Sequence, residues 1–105
     1  MSDSDPTADV APKGAETLSR ELPIINRKGL HARATAKFVQ CAERFDAAVT
    51  VTRQGETVGG TSIMGILTLG AGIGTTIVVA AEGAEAARAL DALADLIASR
   101  FGEDE

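Results

Sequence analysis

Asn26-Arg27-Lys28-Gly29-Leu30-His31-Ala32-Arg33-Ala34-Thr35-Ala36 is the stretch from which the fold can be read. It joins a short apolar strand pattern to a helical one. Gly29 allows a backbone turn that residues with side chains resist. The stretch holds the single histidine of the chain. Arg27, Lys28, Arg33 and Lys37 place four cations within eleven positions, and no acid interrupts them. If a helix begins just after the turn, His31 stands at its cap or its first position. The free backbone N–H groups of Ala32 and Arg33 then surround the imidazole, and the positive end of the helix dipole points at it. Such a place attracts anions, and here a nucleophilic nitrogen sits at its centre.

Outward from this stretch the pattern alternates between strand and helix. Upstream, residues 19–26 carry Leu22, Ile24 and Ile25 as a short strand. Pro23 lacks an N–H, so that strand belongs at a sheet edge. Downstream, residues 32–44 read as a helix with Thr35, Phe38, Val39 and Ala42 on one face. Residues 48–53 alternate as a half-buried strand, Gln54-Gly55 makes a hairpin turn, and residues 56–60 return. Ser62 caps a short helix, Ile63 to Leu69.

Gly70-Ala71-Gly72-Ile73-Gly74 then breaks the chain. This run follows a helix and precedes a strand, the reverse of a dinucleotide-binding loop, so it reads as a turn. Residues 75–81 form the strongest strand pattern and belong in the middle of the sheet. Residues 84–101 close with a helix whose apolar stripe is Ala86, Leu90, Leu93, Ile97 and Phe101. Glu85 and Arg100 at its two ends suit the helix dipole. The order β-α-β-β-α-β-α, with alternating strands and helices to cover one face, predicts an α+β two-layer sandwich.

Composition sets the remaining bounds. With 105 residues, 45% of them hydrophobic, the chain suits one domain, and three Phe with no Trp or Tyr make its core aliphatic. Residues 1–18 read as a disordered acidic arm, residues 19–102 as the folded domain and residues 103–105 as an acidic tail. The net charge of −5 therefore resides in the two ends. A chain with no basic face and few aromatics does not suit nucleic acid. No apolar run approaches the roughly 20 residues of a membrane span, and the acidic start is unlike a signal peptide. A lone cysteine, Cys41, forms no internal disulfide, and the cytoplasm is the expected compartment. One His and one Cys build no zinc site. No Ser-His-Asp or Cys-His grouping supports hydrolysis, and no cofactor is implied.

The chemistry then rests on His31. An imidazole is nucleophilic when neutral, and its ordinary pKa of about 6.5 leaves much of it neutral near pH 7. A phosphoryl group on one ring nitrogen brings close to two negative charges. Helix N–H groups and the Arg33 guanidinium can hydrogen-bond those oxygens.

Gly29-Leu30-His31-Ala32-Arg33 resembles the active-site motif of the HPr family, the histidine phosphocarriers of the bacterial phosphotransferase system. The resemblance implies an open-faced sandwich with a four-stranded antiparallel sheet of order 1-4-2-3 and three helices on one side. It implies that His31 accepts a phosphoryl group on Nδ1, with Arg33 as companion cation. The donor would be enzyme I, charged by phosphoenolpyruvate, and the acceptor an enzyme IIA. The carrier would be a monomer that is consumed and regenerated, not a turnover catalyst. The chain departs from the family pattern at Ala34, where proline is usual.

A second match lies 31 residues further on, in Thr61-Ser62-Ile63-Met64-Gly65-Ile66. By resemblance Ser62 is a target for a regulatory HPr-type serine kinase/phosphorylase, and Ile63 and Met64 belong to a docking face for partners. Ser62 also reads as an ordinary helix cap, and Ile63 and Met64 as core. Two rival functions remain at this point: a regulatory HPr-like binding module without phosphotransfer, and a small enzyme using His31 as a general base.

Overall fold

The computed structural model describes residues 17–104. The elements are β1 (Thr17–Pro23), α1 (Ala32–Ala42), β2 (Ala48–Arg53), β3 (Glu56–Gly59), α2 (Ile63–Thr68), β4 (Thr76–Glu82) and α3 (Ala86–Ala98). The four strands form one antiparallel sheet in the order β1-β4-β2-β3. The three helices cover one face of it, an open-faced α+β sandwich. β4 is central, pairing Leu22↔Ile77 on one side and Val51↔Val79 on the other. β1 lies at the edge, where Pro23 withholds no ladder hydrogen bond from a second neighbour.

Alternation along β2 and β4 sends Val49, Val51, Ile77, Val79 and Ala81 into the core. Opposite them lie Ala34, Phe38, Val39 and Ala42 from α1, Ile66 from α2 and Ala89, Leu90, Leu93 and Ile97 from α3. Each fully buried Val, Leu, Ile or Phe of this set contributes about 1.5–3 kcal/mol of burial free energy, and each Ala less. At the β2–β3 hairpin both turn residues are left-handed, Gln54 at φ 52° and Gly55 at φ 84°. That geometry matches the twist of the flanking strands.

Two boundaries depart from expectation in ways that matter for the site. β1 starts at Thr17, inside the stretch assigned to the arm, because Thr17 and Leu18 pair with Glu82 and Ala81 at the far end of β4. The rest of the expected arm, residues 1–16, lies outside the described residues. α3 stops at Ala98 and not at 101. Phe101 is buried as the apolar stripe predicts, but it reaches the core from a left-handed turn, Arg100–Gly102. Of the two charges expected at the ends of α3, Glu85 stands at its N-cap and Arg100 lies outside the helix, in the turn. Glu85 accepts from the Asp46 N–H and pairs with Arg88.

Candidate functional site

The turn before α1 is made by Gly29. Its φ is +66°, and a Cβ there would stand 2.5 Å from the Ala71 carbonyl oxygen and 2.7 Å from Gly72 Cα. Glycine is therefore required twice over, by torsion and by space. The close approach lets the Leu30 N–H donate to the Ala71 carbonyl at 2.9 Å. This pins the loop that delivers His31 against the turn following α2.

His31 is the N-cap of α1, with extended backbone at φ −74° and ψ −179°. Its carbonyl accepts the first helical bond from the Thr35 N–H at 2.8 Å. Its Nδ1 accepts from the Arg33 N–H at 3.3 Å, a long bond. Thr35, buried one turn in, donates its hydroxyl to the Leu30 carbonyl and so locks the start of the helix. The Arg33 side chain is exposed beside this cap.

The other ring nitrogen is held tightly. Nε2 lies 2.5 Å from Oε2 of Glu103. The side chains of His31 and Glu103 are only 28% and 19% exposed, so the pair is partly withdrawn from water. Oε1 of the same carboxylate accepts from Asn26 Nδ2 at 3.1 Å, and that amide also donates to the Gly29 carbonyl at 2.9 Å. Because both neighbours are acceptors, the amide of Asn26 has one workable orientation. Its Oδ1, buried, finds no hydrogen-bond partner among the described residues. Hydrogen bonds from His31 and then Asn26 hold the Glu103 carboxyl below its ordinary pKa of 4.5, helped by the nearby Lys28 charge and opposed by partial burial.

Glu103 reaches His31 through an unusual piece of backbone. Arg100, Phe101 and Gly102 are all left-handed, at φ 58°, 57° and 76°. For the two residues with side chains this costs about 1–2 kcal/mol each. Two contacts offset it. Phe101 is buried to 1% exposure, and its carbonyl accepts from Lys37 Nζ on α1 at 2.6 Å. The turn reverses the chain after α3 and lays Glu103 over the start of α1.

His31 and Arg33 lie at the start of α1, Arg27 and Lys28 in the loop before it and Lys37 one turn further on, whereas Glu103, which the sequence pattern leaves in an acidic tail, lies against the His31 ring. Its only local signal was Gly102, a residue suited to a left-handed turn. Asn26 was likewise read as the end of a strand and not as a buried part of the site. The residues of the second motif lie on α2, which packs against α1. Ser62 is exposed and caps α2, its Oγ accepting from the Gly65 N–H at 3.0 Å. Ile63 and Met64 are exposed at 42% and 71%, so they are not core. Cys41 is buried on α1, and burial pushes its thiol up, against the Arg44 charge, away from reactivity.

The fold and this corner define a class: a small open-faced sandwich that presents one imidazole at a helix start, with one ring nitrogen bound by a carboxylate. A family model described as "PTS HPr component phosphorylation site" matches residues 18–99. The phosphocarrier protein HPr of Cupriavidus necator is 49% identical over 88 residues, covering 84% of this chain and 99% of that protein. The phosphocarrier protein NPr of Shewanella violacea is 38% identical over 86 residues, covering 82% and 94%. A crystal structure of HPr from Thermoanaerobacter tengcongensis superposes with a TM-score of 0.81 at 41% identity, covering 84% of this chain and 99% of that one. The chain belongs to the HPr family of phosphotransferase-system phosphocarriers.

Proposed function

We propose that the chain carries a phosphoryl group from enzyme I, charged by phosphoenolpyruvate, to an enzyme IIA, as a phosphohistidine on Nδ1 of His31. The observation that carries this reading is the division of labour on the imidazole. Nε2 is engaged by Glu103, while Nδ1 faces the N-terminus of α1 with one long contact to the Arg33 N–H. That contact is easily exchanged for a phosphoryl oxygen, and the helix start favours the incoming charge. The Arg33 guanidinium, exposed beside the cap, neutralises a second oxygen without being able to give up its proton.

Ser62 is the regulatory serine in this reading, modified by a kinase of the HPr type, and Ile63 and Met64 form the docking face. Their exposure supports this, since a large apolar pair left in water on a small domain suits transient partners. The carrier works as a cytoplasmic monomer, and residues 1–16 take no part in transfer. The purely regulatory alternative is disfavoured by the built histidine corner.

Incubation with enzyme I and phosphoenolpyruvate, followed by intact-mass measurement, tests the proposal. One acid-labile phosphoryl group is expected on the wild type and none on His31→Ala, with the melting temperature of the variant within a few degrees. Phosphate appearing on His31→Ala at the wild-type rate would falsify the assignment.

A further inference from the structure

Resting on the phosphocarrier reading above, we infer that Glu103 is a positioning residue for the transfer, a carboxylate that fixes the tautomer and orientation of His31 and compensates the charge its ring acquires. The argument begins with proton count. A carboxylate at Nε2 can only accept, so Nε2 must carry the hydrogen. Nδ1 also accepts, from the Arg33 N–H, so it must carry the lone pair. The two contacts specify the same tautomer from opposite sides of the ring. They leave the nucleophilic pair on the nitrogen that faces the helix start.

The step itself then balances. The Nδ1 lone pair forms the new N–P bond to the phosphoryl group of the donor phosphohistidine. The donor's N–P bond breaks, and its electron pair stays on the donor ring. No proton leaves His31. Its Nε2–H remains in place, and the ring takes on positive charge as the bond forms. That charge develops next to Glu103, whose ionised state is secured by the Asn26 amide and the nearby Lys28. Transfer onward to the next acceptor reverses the same steps, so Glu103 serves both directions.

The surroundings show that Glu103 is delivered on purpose. The left-handed turn Arg100–Gly102 is anchored by Phe101 in the core and by Lys37 on α1. The Glu103 N–H donates back to the Arg100 carbonyl at 2.9 Å, closing the turn. Asn26, buried on the other side, belongs to the loop that delivers His31 and bonds both Gly29 and Glu103. The carboxylate is therefore held from two directions. Arg27, Lys28 and Asp104 line the hollow beside it, so its local field is mixed in sign.

Three full-length variants test this: Glu103→Ala, which removes the bond; Glu103→Gln, which keeps an acceptor and removes the charge; and Glu103→Asp, which keeps the charge one methylene short. The first readout is nitrogen NMR of the labelled imidazole above neutral pH. The wild type should show the Nε2–H form with that proton protected from solvent exchange. Glu103→Ala should lose the protection at least tenfold, and Glu103→Gln should retain most of it. The second readout is single-turnover phosphorylation by phosphorylated enzyme I. The maximal rate should fall about tenfold in Glu103→Ala, less in Glu103→Gln and Glu103→Asp, with the half-saturating concentration of enzyme I unchanged.

A raised half-saturating concentration at an unchanged maximal rate would make Glu103 a docking residue and overturn the inference. So would unchanged exchange of the Nε2 proton in Glu103→Ala. A wild-type chain that accepts no phosphoryl group would instead overturn the carrier reading on which the inference rests.

Discussion

Two neighbouring corners of this molecule are built on opposite principles. At the start of α1, both nitrogens of His31 and both oxygens of Glu103 have partners within the chain. At the start of α2, Ser62 does no more than cap six residues of helix, and Ile63 and Met64 stand in water. The first corner is completed from inside, by residues far apart in the chain. The second is complete only as a surface. On the proposed function, the group that must react in one geometry is fixed by the fold, whereas the groups proposed to meet partners are left for those partners to cover.

The comparison breaks most severely at Gly29. Gly29→Ala forces a Cβ into the Ala71 carbonyl at a left-handed position. A loss of about 2–4 kcal/mol is expected, with phosphoryl acceptance falling alongside it. Chemical denaturation and the initial transfer rate measure both. An alanine variant of wild-type stability would mean that the loop is not pinned as described.

Arg33→Ala comes next and should separate chemistry from folding. The side chain is exposed and tied to nothing the core needs. Transfer from enzyme I should slow about tenfold or more, with a change in stability under about 0.5 kcal/mol. Equal transfer rates for the two proteins would remove Arg33 from the mechanism.

At the second corner the effects should be confined to partners. Phosphorylation of Ser62 adds nearly two negative charges beside Ile63 and Met64. At a helix start that charge is tolerated, so the melting temperature should hold or rise while acceptance from enzyme I falls. Met64→Asp should mimic the docking loss without the phosphate. If fully phosphorylated protein accepts as fast as the unmodified form, Ser62 is a helix cap and nothing more.

The smallest effect belongs to acid. The Glu103 carboxyl ionises below its ordinary value of 4.5 in the folded protein. Its contacts therefore contribute fully above that value and are lost as pH falls through the lower, folded one. Glu103→Gln should lower stability modestly at neutral pH, where the ionised carboxylate contributes, and flatten the acid limb below about pH 4.5, so that the two profiles converge in acid. Identical acid limbs for the two proteins would show that the carboxylate is not held as described.

What could be read from the sequence divides along the same line. A glycine, a histidine and a helical stripe between Gly29 and Ala42 are local signals, and local physics decides them. The same holds for Thr35, Phe38, Val39 and Ala42, all buried as their spacing predicts. Alternation marks β2 and an unbroken β-branched and apolar run marks β4, but the order β1-β4-β2-β3 comes with the family resemblance and not with any periodicity. Glu103 was illegible because its partner is 72 residues away. Its arrival depends on Arg100 and Phe101 adopting left-handed torsions for which neither residue has a preference. The start of β1 was hidden for a related reason: Thr17 is strand only because Glu82 is opposite.

The placement of β4 has a consequence for the order of events in folding. The β2–β3 hairpin is local and can close early, on a microsecond scale. β4 must then insert between that hairpin and β1, which it meets at a separation of 65 residues for Thr17 and Glu82. Until it does, β2 has one open edge and β1 has no partner at all. The rate-limiting ensemble is therefore expected to contain β4 docked on β2, with the long loop to β1 closing last or together with it. Shortening Val79, fully buried at the middle of that strand, should slow refolding more than it hastens unfolding. Shortening Phe101, which is expected to enter the core only once the sheet is made, should do the reverse. The corner that holds His31 would then be among the last parts of the molecule to acquire its shape.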